Sequence, residues 1–192
     1  MSRADSLETL QDSLRGAPII WKGDYPYFIH PISDGIPRME AEVLRATRDL
    51  IVDMVDWSEI DLVVSVEAMG LPLLAAVGEA TGKPTVVIRK REYGMEGEVR
   101  VDVSTGYSQS TTYINDISPG ERILIVDDVI STGGTLEPIL ATLEEMGVIL
   151  QDIVIAIEKG EGRERLAKER PRWPIRTLAR IDIIDGKVEI LE

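Results

Sequence analysis

The chain has 192 residues, and its 21 Lys and Arg stand against 34 Asp and Glu, a formal charge of −13. That length suits one domain, 1–192, with its own core, and 44% hydrophobic residues is a globular composition. The acidity excludes DNA or RNA as the main ligand, because phosphate polymers need net or patterned positive charge. It leaves room for a small phosphorylated molecule that senses only the local field.

There is no cysteine, which removes disulfides, thiol nucleophiles and thiolate metal sites together. The single histidine, His30, excludes a histidine-rich metal centre. The N-terminal stretch has no apolar segment of the signal-peptide kind, and no apolar run reaches transmembrane length. The expectation is a soluble cytoplasmic protein with no membrane partner.

In chain order, residues 5–15 read as a short helix that stops before Gly16, Ala17 and Pro18. Residues 19–37, with Gly, Pro and aromatic residues, read as irregular structure or short strands. From Arg38 to Trp57, Met39, Val43, Leu44, Leu50, Ile51, Met54 and Val55 recur at helical spacing. Residues 61–66 are apolar and β-branched, a buried strand. A helix led by Gly70 follows and stops at Gly82. Residues 84–89 form a second buried strand. Residues 91–112 are polar and glycine-bearing, and a long stretch of that kind inside a compact domain is usually functional. Residues 122–126 form a third strand, 136–146 a helix ended by Gly147, and 153–157 a fourth strand. This alternation predicts an α/β fold, a doubly wound parallel sheet covered on both faces. The core is placed at about 38–160. A small hood is expected from about 17–37 and 161–192, and Asp185-Gly186 marks a hairpin in the latter.

The chemistry concentrates between Ile125 and Thr135. Asp127 and Asp128 follow an apolar strand directly, where burial without partners is costly. Sugar hydroxyls would supply donors to both. Ser131, Thr132, Gly133, Gly134 and Thr135 offer three hydroxyls and two glycines that let backbone N–H groups approach an anion, and the following helix adds the positive end of its dipole. The layout suits a sugar phosphate. The plain alternative is a strand-to-helix turn with solvated acids. A magnesium pair of the P-loop type fails, because the only near match, Gly78 to Pro84, is one residue short and has Pro where Ser or Thr is needed. Gly160-Glu161-Gly162 lacks the third glycine of a dinucleotide fingerprint and is set aside.

The stretch Val126–Thr135 resembles the phosphoribosyl pyrophosphate (PRPP) motif of the type I phosphoribosyltransferases. The likeness extends over about residues 25–190. It is greatest to the archaeal hypoxanthine/guanine subgroup of the purine branch, through Tyr27–Pro37, Lys90–Gly94 and Thr105–Ser108. The resemblance implies a transferase that joins hypoxanthine or guanine to the ribose of PRPP, with Mg2+ carried by PRPP, acting as a homodimer; the alternatives are an adenine phosphoribosyltransferase giving AMP or a PRPP-sensing regulator without catalysis. It implies that Asp127 and Asp128 hold the ribose hydroxyls, directly or through magnesium and water, and that Ser131 to Thr135 hold the 5-phosphate. Glu67, Ala68, Met69 and Gly70 would present N–H groups to pyrophosphate, with a non-proline cis peptide there. Arg89 and Lys90 would neutralise pyrophosphate, and residues 91–112 would form the catalytic loop. Lys159 would contact the purine: an ammonium only donates, so it suits the O6 acceptor of an oxopurine and not the amino group of adenine. A strand-end lysine exposed to water is the alternative.

Two departures from the family pattern stand out. Met69 occupies a position where adenine enzymes usually have Arg. The loop also lacks a clear acid in the adenine-family position, leaving Glu98, Tyr107 and Ser108 as candidates. His30 is read as a structural residue, and Trp21, Tyr25, Tyr27 and Phe28 as the core of the hood.

Overall fold

A computed structural model describes residues 1–23, 25–105 and 108–191. Its elements are α1 (Arg3–Arg15), β1 (Ile19–Lys22), β2 (Tyr25–Phe28), α2 (Pro31–Asp34), α3 (Ala41–Met54), β3 (Leu62–Val66), α4 (Gly70–Thr81), β4 (Thr85–Ile88), β5 (Val99–Thr105), β6 (Ser108–Ile114), β7 (Arg122–Ile130), α5 (Leu136–Glu145), β8 (Ile149–Lys159), α6 (Gly162–Glu169), β9 (Ile175–Ile184) and β10 (Lys187–Leu191). The main sheet has the order β10-β9-β8-β7-β3-β4, and only the edge strand β10 runs antiparallel to its neighbour.

Alternation along the central strands divides the core in two. Val63, Leu124, Val126 and Val154 pack beneath α1, α3 and α4, together with Leu10, Leu50, Ile51 and Leu73. Their chain neighbours Leu62, Val64, Ile123, Ile125 and Ile153 face the other way, against Ile139, Leu140 and Leu143 of α5 and Leu166 of α6. Gly82, with φ +69, ends α4 and donates its N–H to the Gly78 carbonyl. This settles the Gly78–Lys83 stretch as a helix terminus. Gly78 itself is a packing residue, because a Cβ there would meet Thr85 Cγ2 at 2.5 Å.

The sheet positions a site. From β3 the chain turns outward to β4, whereas from β7 it turns the opposite way to β8 and β9. The point where the winding reverses opens a crevice outside the carboxyl ends of the strands, and ligands of open α/β sheets bind there. Here that crevice lies between the ends of β3 and β7.

Three placements differ from the sequence expectation. Residues 91–112 are not all loop. β5 and β6 pair as an antiparallel hairpin, and Val101, Val103, Thr112 and Ile114 are buried. The alternation Val99, Val101, Val103 is a two-residue period diluted by the polar residues between. Residues 175–191 do not belong to a hood. β9 pairs parallel with β8 and extends the main sheet, and β10 closes its edge. Finally, Trp21 is 59% exposed and Phe28 is buried, so of the two aromatic residues Phe28 alone is core.

His30 is structural. Its Nδ1 accepts from Ile32 N–H at 3.2 Å and caps α2. Its Nε2 lies 3.1 Å from Ser13 Oγ, whose own proton goes to the Leu10 carbonyl. The network therefore assigns the Nε2–H tautomer. Protonation would turn Nδ1 into a second donor facing Ile32 N–H. Burial brings the imidazole pKa down to about 4, with the Asp34 charge acting in the opposite sense. A depressed pKa means that the stability conferred by the neutral ring is complete above pH 6.5 and is lost as pH falls through 4. Other groups titrate in the same window, so the clean measurement is a difference. The gap in urea-unfolding free energy between wild type and His30→Asn should shrink by roughly 3 kcal/mol from pH 7 to pH 4. A gap that does not change with pH would show that His30 is not buried as the neutral ring.

Candidate active site

The paired acids sit at the reversal point, though not beyond the strand end. β7 continues through Asp127 and Asp128 to Ile130, because β8 runs alongside it to Lys159 and supplies ladder partners, Asp127 opposite Ile155 and Ile130 opposite Glu158. Two adjacent acids on an inner strand are hard to ionise together. Burial first, and the neighbouring Asp128 charge second, push the Asp127 carboxyl well up. Burial likewise raises Asp128, and the Asp34 charge adds to this. Lys90 acts in the opposite direction on Asp127. Such a pair needs hydroxyl donors or a cation.

The turn after β3 closes on the same spot. Glu67 to Met69 form a tight turn and Gly70 opens α4, with a cis peptide bond between Glu67 and Ala68. Gly70 is obligatory for a packing reason: a Cβ there would meet Ser65 Oγ at 1.9 Å and Asp127 Oδ1 at 2.6 Å. The β3 turn and the acids of β7 therefore form one assembly. Met69 also carries the α2 turn, since its Cε would lie 3.5 Å from a Cβ on Gly35. That places the segment bearing Asp34 over the site. Sequence reasoning missed Asp34, and a polar residue in a turn gives no signal of it.

Arg89 and Lys90 lie at the end of β4, the edge strand next to β3. Glu67 holds both, accepting from Arg89 Nε at 2.9 Å and from Lys90 N–H at 3.0 Å. The Lys90 backbone bond is the largest influence lowering the Glu67 pKa. Thus Glu67 acts as an orienting carboxylate and Arg89 is already ion-paired. The turn at 91–98 is tied by Glu98, which accepts from the N–H of Tyr93 and Gly94 and from Asn115 Nδ2. Among the loop candidates, Glu98 is thus committed to its own turn. Tyr107 lies outside the described residues, as does the side chain of Ser108.

The hydroxyl-glycine turn joins β7 to α5, with Gly133 at φ +79. Ser131 and Gly134 are half-buried and Thr132 is exposed. Thr135 starts α5 without a side-chain cap. The turn rests on α6, whose Gly162 donates to the Ser131 carbonyl at 2.8 Å and whose Arg165 donates to the Thr132 carbonyl at 3.1 Å. Sequence reasoning set Gly160-Glu161-Gly162 aside, yet a Cβ on Gly162 would lie 2.2 Å from the Ser131 oxygen. The signal was a glycine pair at a strand end.

Lys159 ends β8, next to β7. It is not solvated but 9% exposed, with Nζ donating to the Pro26 carbonyl at 2.9 Å and lying 5.9 Å from the Phe28 ring centre. The hood hairpin is thus bound to the same edge of the sheet. Beside it, the buried Glu158 accepts from Arg163 and Thr177. Among the described residues no group of three or more His, Asp or Glu is arranged to hold a metal.

A doubly wound sheet with paired acids at its reversal point and a hydroxyl-glycine turn directly after them defines a class of protein, and comparison identifies it. The model of the phosphoribosyl transferase domain matches residues 34–174, and the chain belongs to that family. It is 45% identical, over 95% of its length and 98% of the relative's, to a hypoxanthine/guanine phosphoribosyltransferase of Methanococcus maripaludis strain C6. It is 47% identical to the protein of the same name from Methanocaldococcus infernus, over 94% and 98% of the two chains. Among solved structures it is similar to the adenine phosphoribosyltransferase of Rhodothermus marinus, with a TM-score of 0.74 and 27% identity over 92% and 99% of the two chains. These are type I phosphoribosyltransferase folds, as the sequence motif implied.

The packing at Gly70 yields a test. Gly70→Ala should destabilise the protein by about 1–3 kcal/mol in urea unfolding and displace Asp127, so that sugar-phosphate binding is lost as well. Gly78→Ala, whose added methyl meets only the Thr85 side chain and, at 3.5 Å, the Lys83 carbonyl, should lose stability but keep binding. Equal binding in the two variants would break the link between α4 and the acids.

Proposed function

We propose that the protein is a purine-salvage enzyme that transfers the phosphoribosyl group of PRPP to N9 of hypoxanthine or guanine. The C1–O bond to pyrophosphate breaks as the N9–C1 bond forms, N9 loses its proton, and IMP or GMP leaves with pyrophosphate. The observation that carries this reading is the half-buried Asp127–Asp128 pair, bracketed by the Glu67–Gly70 turn on one side and the Ser131–Thr135 turn on the other. The near-complete match to proteins named for hypoxanthine and guanine supports the choice of base.

In this reading Asp127 and Asp128 accept the ribose 2- and 3-hydroxyls, and the donors relieve the burial that raises both carboxyls. Ser131, Thr132, Gly133, Gly134 and Thr135 hold the 5-phosphate. Backbone groups of Glu67 to Gly70 face pyrophosphate, with Lys90 and Arg89 alongside. The two acids also fit Mg2+ of the kind PRPP carries, since that ion keeps several waters and takes few protein ligands. When bound, it would stabilise charge on the departing pyrophosphate. Lys159, whose ammonium donates to the Pro26 carbonyl, would offer another of its three N–H donors to the purine O6 from the end of β8. The setting proposed is a homodimer in the cytoplasm, with PRPP and a purine base as its partners. Among the described residues no helix is long and apolar enough to cross a membrane.

Purified protein with PRPP and Mg2+ should form nucleotide and pyrophosphate from hypoxanthine or guanine. In a panel of hypoxanthine, guanine, xanthine and adenine, turnover of adenine alone would move the protein to the adenine branch that its structural neighbours represent. Replacing both Asp127 and Asp128 with Asn should lower kcat/KM for PRPP by about a hundredfold or more while the fold persists by circular dichroism. Wild-type activity in that variant would sink the site assignment. Lys159→Ala should impair oxopurines most, and an equal loss across all bases would leave it a structural lysine.

A further inference from the structure

The Ser131–Thr135 turn is shaped from behind, and the structure shows by what. Three successive carbonyls each have a protein donor, the first two from α6 and the third from the start of α5. Ser131 O accepts from Gly162 N–H at 2.8 Å, Thr132 O from Arg165 Nη2 at 3.1 Å, and Gly133 O from Glu137 N–H at 2.9 Å. In a trans peptide unit the C=O and the following N–H lie in one plane and point in opposite directions. Holding the carbonyls of 131 and 132 against α6 therefore turns the N–H groups of Thr132 and Gly133 to the opposite side. Among the described residues neither N–H has a protein acceptor. The next N–H, of Gly134, points toward Thr132 Oγ1 at 3.3 Å. Successive N–H groups facing one way form an anion-accepting nest.

Arg165 is the adjustable part of this arrangement. The same Nη2 that reaches the Thr132 carbonyl also donates to Glu137 Oε2 of α5 at 2.8 Å, and Nη1 pairs with Glu169 one turn along α6. The guanidinium thus bridges α6, the turn and the first turn of α5. Its planar fork can hold these directions together, and an ammonium cannot. Gly133, at φ +79, has Leu166 and Arg165 directly behind it, with Leu166 Cδ1 2.9 Å from where a Cβ would stand. Sequence reasoning gave none of these α6 residues a role.

We propose that Arg165 is a positioning residue for the phosphate-binding turn: it fixes the Thr132 carbonyl and so presents the Gly133 N–H to the 5-phosphate without touching ligand. The inference rests on the reading that Ser131–Thr135 hold that phosphate.

The test is Arg165→Ala in the full-length protein, with the KM for PRPP and calorimetric binding of ribose 5-phosphate as readouts. Binding of ribose 5-phosphate should weaken about fivefold. KM for PRPP should rise by a similar factor, with kcat and the KM for hypoxanthine within about twofold. Arg165→Lys should lie between wild type and Arg165→Ala. Glu169→Gln, which removes only the outer ion pair, should match wild type. A purely structural role would lower the melting temperature and the active fraction while leaving ribose 5-phosphate affinity and KM unchanged, and that result overturns the proposal. Should Arg165→Ala fail to fold, Glu137→Gln loosens the same guanidinium. Unchanged ribose 5-phosphate affinity in Glu137→Gln together with Arg165→Lys overturns the proposal equally. The Ser131→Ala and Thr135→Ala pair separates the two levels. Weakened binding in that pair with wild-type binding in Arg165→Ala defeats the positioning role alone. Undiminished binding in all of them defeats the phosphate reading beneath it.

Discussion

Two half-buried carboxylates on consecutive residues of an inner strand are the constraint on which the rest of the site depends. β7 has β3 on one side and β8 on the other, so Asp127 and Asp128 cannot be relieved by moving toward an open sheet edge. Their raised pKa values express how poorly the protein alone solvates them. The surrounding chain does little to neutralise them. Gly70 gives up its side chain so that α4 can start against Asp127, and Asp34 brings a further negative charge toward Asp128. A fold selected for stability alone would place apolar residues here. The acids make sense as groups awaiting donors from outside.

The arrangement around them is built largely from backbone. On the β3 side, Glu67 to Met69 turn tightly before α4. On the β7 side, α6 holds the Ser131 and Thr132 carbonyls so that the N–H groups of Thr132 and Gly133 face the other way. Side chains act one step behind: Glu67 holds the end of β4, Glu98 ties its own turn, and Arg165, beside the Gly162 N–H, backs the glycine turn. Backbone donors are fixed by the fold and need no reordering when an anion arrives, which favours binding without a large entropic penalty.

What was legible in the sequence follows from this division of labour. The strands β3, β4, β7 and β8 are apolar runs with glycine stops between them, so the parallel core and the place of Asp127 and Asp128 were readable. The hairpin β5–β6 was not, because its inward residues Val101, Val103 and Thr112 alternate with polar ones in a stretch whose overall polarity suggested a loop. Asp185-Gly186 made the β9–β10 hairpin legible, but the pairing of β9 with β8 escaped because its first half is interrupted by Arg176, Thr177 and Arg180, which pair with Asp152 and Glu158 of β8 and so carry charge into the sheet. Arg165, Gly162 and Asp34 were invisible for a different reason. Their roles depend on contacts some 30 to 100 residues away along the chain, to Thr132, Ser131 and Asp128, and no local pattern encodes such a distance.

The charge balance gains a sharper meaning from the same geometry. A protein at −13 should repel a polyanion, and most cations near the site have been claimed already: Arg89 by Glu67, Arg165 by Glu137 and Glu169, and Arg163 with Arg180 by Glu158. Lys90 differs. Its side chain is exposed, it has no close ion pair among the described residues, and its charge reaches both Glu67 and Asp127. Attraction for a phosphorylated ligand must then come from oriented N–H groups, two helix N-termini and this lysine, all effective only over a few ångströms. A site of that kind does not attract nucleic acid from a distance. In the proposed reading it would hold a small ligand whose phosphates and hydroxyls fit the turns and the acids, and any cation carried by that ligand would add to the neutralisation the protein leaves incomplete.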